Sequence, residues 1–283
     1  MIQQTLAAAR TYCVLLTTLL AALPALPAAA EPATDCQAEQ RLEAVLASPH
    51  RSEANRARDV YRHPAATLRF FDVEPQMSVV EIWPGGGGWY TEVLAPYLKG
   101  CGKYFAASFD PDSEVPFYRL NAEKFAQKLA ADPEHYSEVK LMVLQPPDQM
   151  VIAAPGSVDR VLTFRNVHNW MKAGHAEKVF AAMYRALKPG GILGVVEHRA
   201  APDTVQDIRA ESGYVSEAHV LQLATQAGFK LMDRSEINDN PKDDREHPAG
   251  VWTLPPSLRL GDEGREYYLA IGESDRMTLK FIK

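Results

Sequence analysis

Short apolar runs alternate with segments of helical periodicity from residue 77 to the end of the chain, and this rhythm constrains the fold more than any other feature. "MSVVEI" (77–82) is apolar almost throughout, as a strand buried on both faces must be. "WYTEVLAPYL" follows with a helical pattern whose last part Pro96 kinks or ends. "KYFAASF", "VKLMVL", "VDRVLTF", "GILGVVEH" and "FKLMDRSEI" read as further strands. Between them lie "NAEKFAQKLAADP", a helix capped by Asn121, and "MKAGHAEKVFAAMYRAL", one long helix with Val179, Phe180, Met183 and Leu187 on one face. "SEAHVLQLATQAG" is a helix closed by Gly228, where a left-handed backbone is needed. "YYLAIG" and "RMTLKFI" read as a closing hairpin. Such alternation predicts an α/β fold, a mostly parallel sheet with an antiparallel C-terminal hairpin and helices on both faces.

The first thirty residues stand apart. One Arg, an apolar run through "TYCVLLTTLLAALPAL" and small residues at Ala28 and Ala30 predict a secretory signal peptide over 1–30. The apolar run is shorter than the ~20 residues needed to span a bilayer, so stable membrane insertion is not expected. Residues 31–71 are polar and Ala-rich and predict a helical appendage, with Ser52 capping "EANRARDVYR" and Pro64 in the first turn of a further short helix. Residues 72–283 then form the main domain. The expected location is periplasmic or secreted.

The net charge of −6 argues against nucleic-acid binding, which needs a basic footprint. Of the three cysteines, Cys13 falls in the leader, leaving Cys36 and Cys101 either bridged or as two free thiols. A bridge would close a loop of about 65 residues, contributing roughly 4 kcal/mol on the chain-entropy model. The segment "NDNPKDDREHPAGVWTLPPSLRLGDEG" lacks periodicity and is long enough to carry function; Asp243, Asp244, Arg245, His247 and Trp252 are its candidates for completing a pocket. Arg58, Asp59, Tyr61 and Arg62 are candidates for a lid over the crevice.

"EIWPGGGGWY" (81–90) places four glycines between the first strand and the next helix. Such a turn reverses the chain tightly and lets a ligand approach bare main chain. No Lys follows the glycines, so a triphosphate site is not expected, and Gly-x-Gly-x-x-Gly is met only with forced spacing. Glu81 at the strand's end would repel a diphosphate and suit a cationic amino acid. Trp89 and Tyr90 can wall a pocket, with ring faces that favour a cation.

"VVEIWPGGGGWYTEVLAPYL", "VLTFRNVHNW" and "LKPGGILGVVEHRA" together resemble the class I S-adenosylmethionine-dependent methyltransferase superfamily, and more closely an exported, methyltransferase-like branch of it, over about residues 50 to 283. The resemblance implies a seven-stranded, Rossmann-like sheet with its last strand antiparallel, S-adenosylmethionine as cofactor and a small-molecule substrate. The superfamily's first motif, acid-x-Gly-x-Gly-x-Gly, maps onto Glu81, Trp83, Gly85 and Gly87, with Trp83 standing where the first glycine belongs. The acid that grips the ribose falls at Ser108, with Asp110 two residues on; the adenine-side position falls at Gln145 or Asp148.

The fourth strand ends in "TFRNVHNW" and the fifth in "VVEHRA", so Arg165, Asn166, His168, Asn169 and Trp170 are expected beside Glu197, His198 and Arg199 at the crevice of the glycine turn. His168 or His198 would serve as the base in methyl transfer. Arg165 and Arg199 would bind an anionic substrate. Alternatively, His168, His198 and Glu197 form a facial metal set. S-adenosylmethionine is made in the cytoplasm, whereas the leader predicts export. The alternative function is therefore an exported binding or accessory protein, for a small molecule or metal, on a methyltransferase-like fold that has lost or replaced its cofactor. Oligomeric state is not legible.

Overall fold

The computed structural model describes Met1 and residues 36–283; the predicted leader lies outside the described residues. Among these residues no helix is long and apolar enough to cross a membrane. Four short helices come first, α1 (Ala38–Ala47), α2 (Glu53–Arg56), α3 (Asp59–Arg62) and α4 (Pro64–Phe70). Ser52 caps α2 by accepting from the Asn55 amide, and Pro64 opens α4, as the sequence predicts. Strands β1 (Ser78–Ile82), β2 (Lys103–Ser108), β3 (Lys140–Val143), β4 (Val158–Phe164) and β5 (Leu187–His198) follow, joined by α5 (Thr91–Leu98), α6 (Pro116–Ala131), α7 (Pro133–Tyr136), α8 (Val167–Lys172) and α9 (Ala176–Ala186). Then come α10 (Glu217–Ala227), β6 (Lys230–Ser235), α11 (Arg265–Ile271) and β7 (Arg276–Ile282).

The seven strands form one sheet in the order β3-β2-β1-β4-β5-β7-β6. All pairs are parallel except β5 with β7 and β6 with β7. One sheet face packs on α8, α9 and α10 through Val167, Trp170, Val179, Phe180, Met183 and Val220. The other packs on α1, α4 and α5 through Leu42, Leu68, Phe71, Val93 and Leu94, so the N-terminal helices share the domain's core. Gly194 in β5 makes this fit possible, because a Cβ there would come within 2.7 Å of the Phe71 ring. Cys36 and Cys101 are bridged, tying the segment before α1 to the turn after α5.

Three local expectations are corrected. The antiparallel hairpin is made by β6 and β7, not by "YYLAIG": Tyr267–Ile271 lies in α11, because β7 is already hydrogen-bonded on both edges and has none to offer a third strand. The long helix is two, since Gly174 adopts a φ of 71° after α8 and the helix restarts at Ala176. Asn121 does not cap α6, which begins at Pro116; its side chain instead accepts a hydrogen bond from the Gly86 amide at 3.1 Å.

Candidate functional site

β1 delivers the chain at the carboxyl end of the sheet, and the four glycines divide into two pairs with different duties. A Cβ on Gly86 would meet the Asn121 side chain at 2.9 Å, and one on Gly88 the Phe125 ring at 2.9 Å, so these two are glycine because neighbours crowd them. Gly85 and Gly87 would meet nothing within 4 Å. Gly85 still needs its φ of 71°; Gly87 simply leaves main chain bare. Both border open space.

Glu81 is buried below this turn and accepts from the Tyr104 hydroxyl and, at 3.2 Å, from Thr91 Oγ1. Burial raises its pKa to about 7, against the opposing pull of those hydrogen bonds and of Arg165. Trp83 adopts φ 46°, and its indole turns away from the glycines to donate to the Leu144 carbonyl at 2.9 Å. There it packs against Phe109, Tyr118 and Trp170. It forms the cavity wall rather than blocking the turn. Trp89 and Tyr90 are both buried and both line the cavity, Tyr90 stacked on Phe164.

Ser108 and Asp110 are not brought to the cavity. Ser108 is buried with its hydroxyl unpartnered, and Asp110 accepts from Gln149 Nε2 and the Asp112 amide. Between them Phe109 presents a ring instead of an acid. Asn166 does reach the cavity, anchored by a hydrogen bond from its Nδ2 to the Ile82 carbonyl at 2.9 Å.

The second cluster assembles around Glu197, which is fully buried at the end of β5. Its carboxylate accepts from the Val167 amide (2.5 Å), the His198 amide (2.8 Å) and His168 Nδ1 (3.0 Å). A carboxylate bound to two backbone donors is an acceptor for the third, so in the neutral tautomer the His168 proton sits on Nδ1 and Nε2 is the acceptor. The His168 and His198 rings lie 5.3 Å apart, and His198 Nδ1 pairs with Ser274 Oγ at 2.5 Å. Burial, then His168 and three nearby guanidiniums, hold the His198 pKa well below its ordinary value. The ligand atoms of His168, Glu197 and His198 lie within 4.8 Å of one another, and those of Asp243, Asp244 and His247 do likewise. In the first set the carboxylate is already committed to three donors, so the geometry is that of an oriented base rather than a metal cage.

Arg165 and Arg199 part company. Arg199 points away from the crevice into Asp275, Glu236 and Asp239, which removes it from the expected substrate site. Arg165, at φ 62°, makes no side-chain hydrogen bond or ion pair among the described residues. Burial, then Arg276, pushes its pKa down to about 10, so it remains charged at neutral pH. Of the long-loop candidates, Trp252 lines the crevice, whereas buried Asp243 is consumed by Tyr214, His247 and the Asp275 amide. Trp170 is core, though it touches Trp83. Of the lid candidates Arg58 and Arg62 enter the crevice, while Asp59 pairs with Arg51.

Two adjoining cavities result. The first, about 720 Å³, is lined by Glu81, Trp83, Gly85, Phe109, Tyr118 and Asn166. The second, about 490 Å³, is lined by Arg58, Arg62, Gly87, His168, His198 and Ser274. Arg165, Asn169, Trp89 and Trp252 belong to both walls. Glu273 and Ser274 were invisible to sequence reasoning, because they follow α11 in a segment whose pattern reads as a hairpin turn.

No protein-family model matches the chain, and no curated protein matches it. Its fold is similar to that of a SAM-dependent methyltransferase from Aquifex aeolicus, at 17% identity and TM-score 0.50, covering 64% of this chain and 87% of that one. It is also similar to the [4+2]-cyclase SpnF, at 15% identity and TM-score 0.54, covering 84% of this chain and 85% of that one. At such identities the likeness establishes the Rossmann-like methyltransferase fold; chemistry has to come from the site.

Proposed function

We propose that this chain catalyses S-adenosylmethionine-dependent methyl transfer to a small molecule, with His168 as the general base. The observation that carries the reading is the pair of cavities sharing a wall at the ends of β1 and β4, which a two-ligand transfer requires. The first suits the amino-acid half of the cofactor: bare main chain at Gly85, a buried acid at Glu81 and the rings of Trp89 and Tyr90. Phe109, Trp83 and Tyr118 supply an apolar wall beside it, and Glu211, which also lines this cavity, is paired with Lys172 and Arg209. Glu81, Gly85, Trp89 and Tyr90 would hold the cofactor, which would supply an electrophilic methyl group and, as leaving group, keep the electron pair of the carbon–sulfur bond.

The chain's own part is orientation and proton removal. Glu197 holds the His168 ring by Nδ1, so that Nε2 takes the proton released by the nucleophile. Because Glu197 is itself fixed by the Val167 and His198 amides, the ring needs no rearrangement to act. His198, held neutral, keeps a second positive charge away from that base. The predicted leader and the Cys36–Cys101 bridge support a periplasmic or secreted location.

Calorimetry with S-adenosylmethionine and S-adenosylhomocysteine, followed by transfer of labelled methyl groups to a small-molecule extract, tests the reading. Binding together with label transfer that His168→Ala abolishes is the expected result. Absence of heat at millimolar ligand sinks it.

A further inference from the structure

The second cavity contains more positive charge than the protein needs for its own folding. Glu273, buried at its floor, receives Arg58 Nε at 2.6 Å, Arg62 Nε at 3.1 Å and Arg276 Nη1 at 3.2 Å. One carboxylate therefore serves three guanidiniums, and burial's tendency to raise its pKa is overcome by Arg62, Arg276, Arg58 and Arg165, which hold it at about 2. Arg165 adds a fourth cation that feels Glu273 but makes no hydrogen bond or ion pair among the described residues, and Arg58 keeps a buried Nη2 that is also unpartnered there. In a chain whose net charge is −6, such a surplus in one crevice calls for a counter-charge from outside.

We infer that Arg165, with Arg58 and Arg62, forms a binding subsite for an oxyanion, a carboxylate or phosphate carried by the methyl-accepting substrate. The inference rests on the methyl-transfer reading for the word substrate; the anion subsite itself stands on the geometry. Free guanidinium donors form a fork that matches either oxyanion. Arg58 and Arg62 come from α3 and its N-cap, so the N-terminal helices supply two of the subsite's three arginines. Arg62 is braced against the Trp89 ring, 4.7 Å from its centroid, which fixes its orientation before any ligand arrives. His168 lines the same cavity, so a substrate anchored by its anion presents a neighbouring nucleophile to the base.

Trp89 and Trp252 line the cavity and report on it by fluorescence. Inorganic phosphate and benzoate are titrated separately into the full chain at constant ionic strength, with chloride as control. A saturable change with either probe is expected, weakened at least tenfold in Arg165→Gln and less in Arg165→Lys, with the melting temperature of both variants no lower than that of the parent. The stronger probe names the oxyanion. Equal response to chloride, unchanged affinity in Arg165→Gln, or displacement of the anion by saturating S-adenosylhomocysteine overturns the proposal, the last because the subsite would then belong to the cofactor. The titration reads no methyl transfer, so anion binding found alongside failed cofactor calorimetry would sink the methyl-transfer reading and leave the subsite standing.

Discussion

His168 Nδ1 lies 3.0 Å from a Glu197 oxygen whose carboxylate is also gripped by two backbone amides. The arrangement predicts that Glu197→Gln damages methyl transfer through the tautomer of His168. An amide can present its NH₂ to Nδ1, moving the ring proton to Nε2 and removing the base. A fall in kcat of about 10²–10⁴ is expected, with KM little changed, and the double variant with His168→Ala should be no worse than His168→Ala alone. Additive losses would show that the two residues act separately.

Glu81 makes both stability and ligand binding depend on pH. Its pKa, raised from 4.5 to about 7, means that the folded chain holds the proton more tightly than the unfolded one. The stabilisation is complete below pH 4.5 and is lost as pH rises through about 7, a change of ~3 kcal/mol. A cationic ligand needs the ionised form, so S-adenosylmethionine affinity should rise about tenfold from pH 6 to pH 8. Glu81→Gln should flatten both profiles, read by thermal melts and calorimetry across that range.

Glu273 has the opposite sign. Held at about 2, it contributes stability that is present above pH 4.5 and lost as pH falls towards 2. Glu273→Gln leaves three buried or half-buried guanidiniums facing one another and should cost about 3–5 kcal/mol at pH 7. Chemical denaturation should find the variant closest to the parent at the acid end. A gap that widens towards pH 3 would contradict the assigned charge balance.

The Cys36–Cys101 bridge closes a loop of 65 residues, so Cys36→Ser with Cys101→Ser should remove up to ~4 kcal/mol. The N-terminal helices should nonetheless stay docked, because Leu42, Leu68 and Phe71 are buried in the shared core and Arg41 binds the Pro96, Tyr97 and Lys99 carbonyls. The expected readout is a lower melting temperature with anion binding in the second cavity retained.

Local pattern carried the sheet and most of the crevice into view. Strands buried on both faces cannot hide their apolarity, and strand ends in a parallel sheet must share one side, which brought Glu81, Arg165, His168 and His198 together. The failures are tertiary. "YYLAI" has the composition of a strand, yet Tyr267 and Leu269 face solvent in α11 because β7 had no free edge. Arg199 and Arg165 are indistinguishable as strand-end arginines until Asp275, from the far end of the chain, claims one of them. Asn121 resembles a cap by its place before an Ala-Glu-Lys run, and only the fold reveals that Gly86 is its partner.

Arg165 gives the sharpest test of whether the crevice is built at the expense of stability. Its backbone sits at φ 62°, a region that costs a non-glycine residue of order 1 kcal/mol, and its buried guanidinium is repelled by Arg276 and Arg58, with Glu273 attracting it but forming no ion pair with it among the described residues. The cost of burying it and the repulsion from Arg276 outweigh its attraction to Glu273, so replacing it should help folding and harm binding. Arg165→Ala removes the repulsion and keeps the backbone strain; Arg165→Gly removes both, less the extra freedom glycine gives the unfolded chain. Both variants should melt at or above the parent temperature, Arg165→Gly by about 2–4 °C, equivalent to ~1 kcal/mol in a domain of this size. Both should lose affinity for phosphate or benzoate. If either variant instead melts several degrees lower, the guanidinium has a structural partner and the crevice is not held open for a ligand.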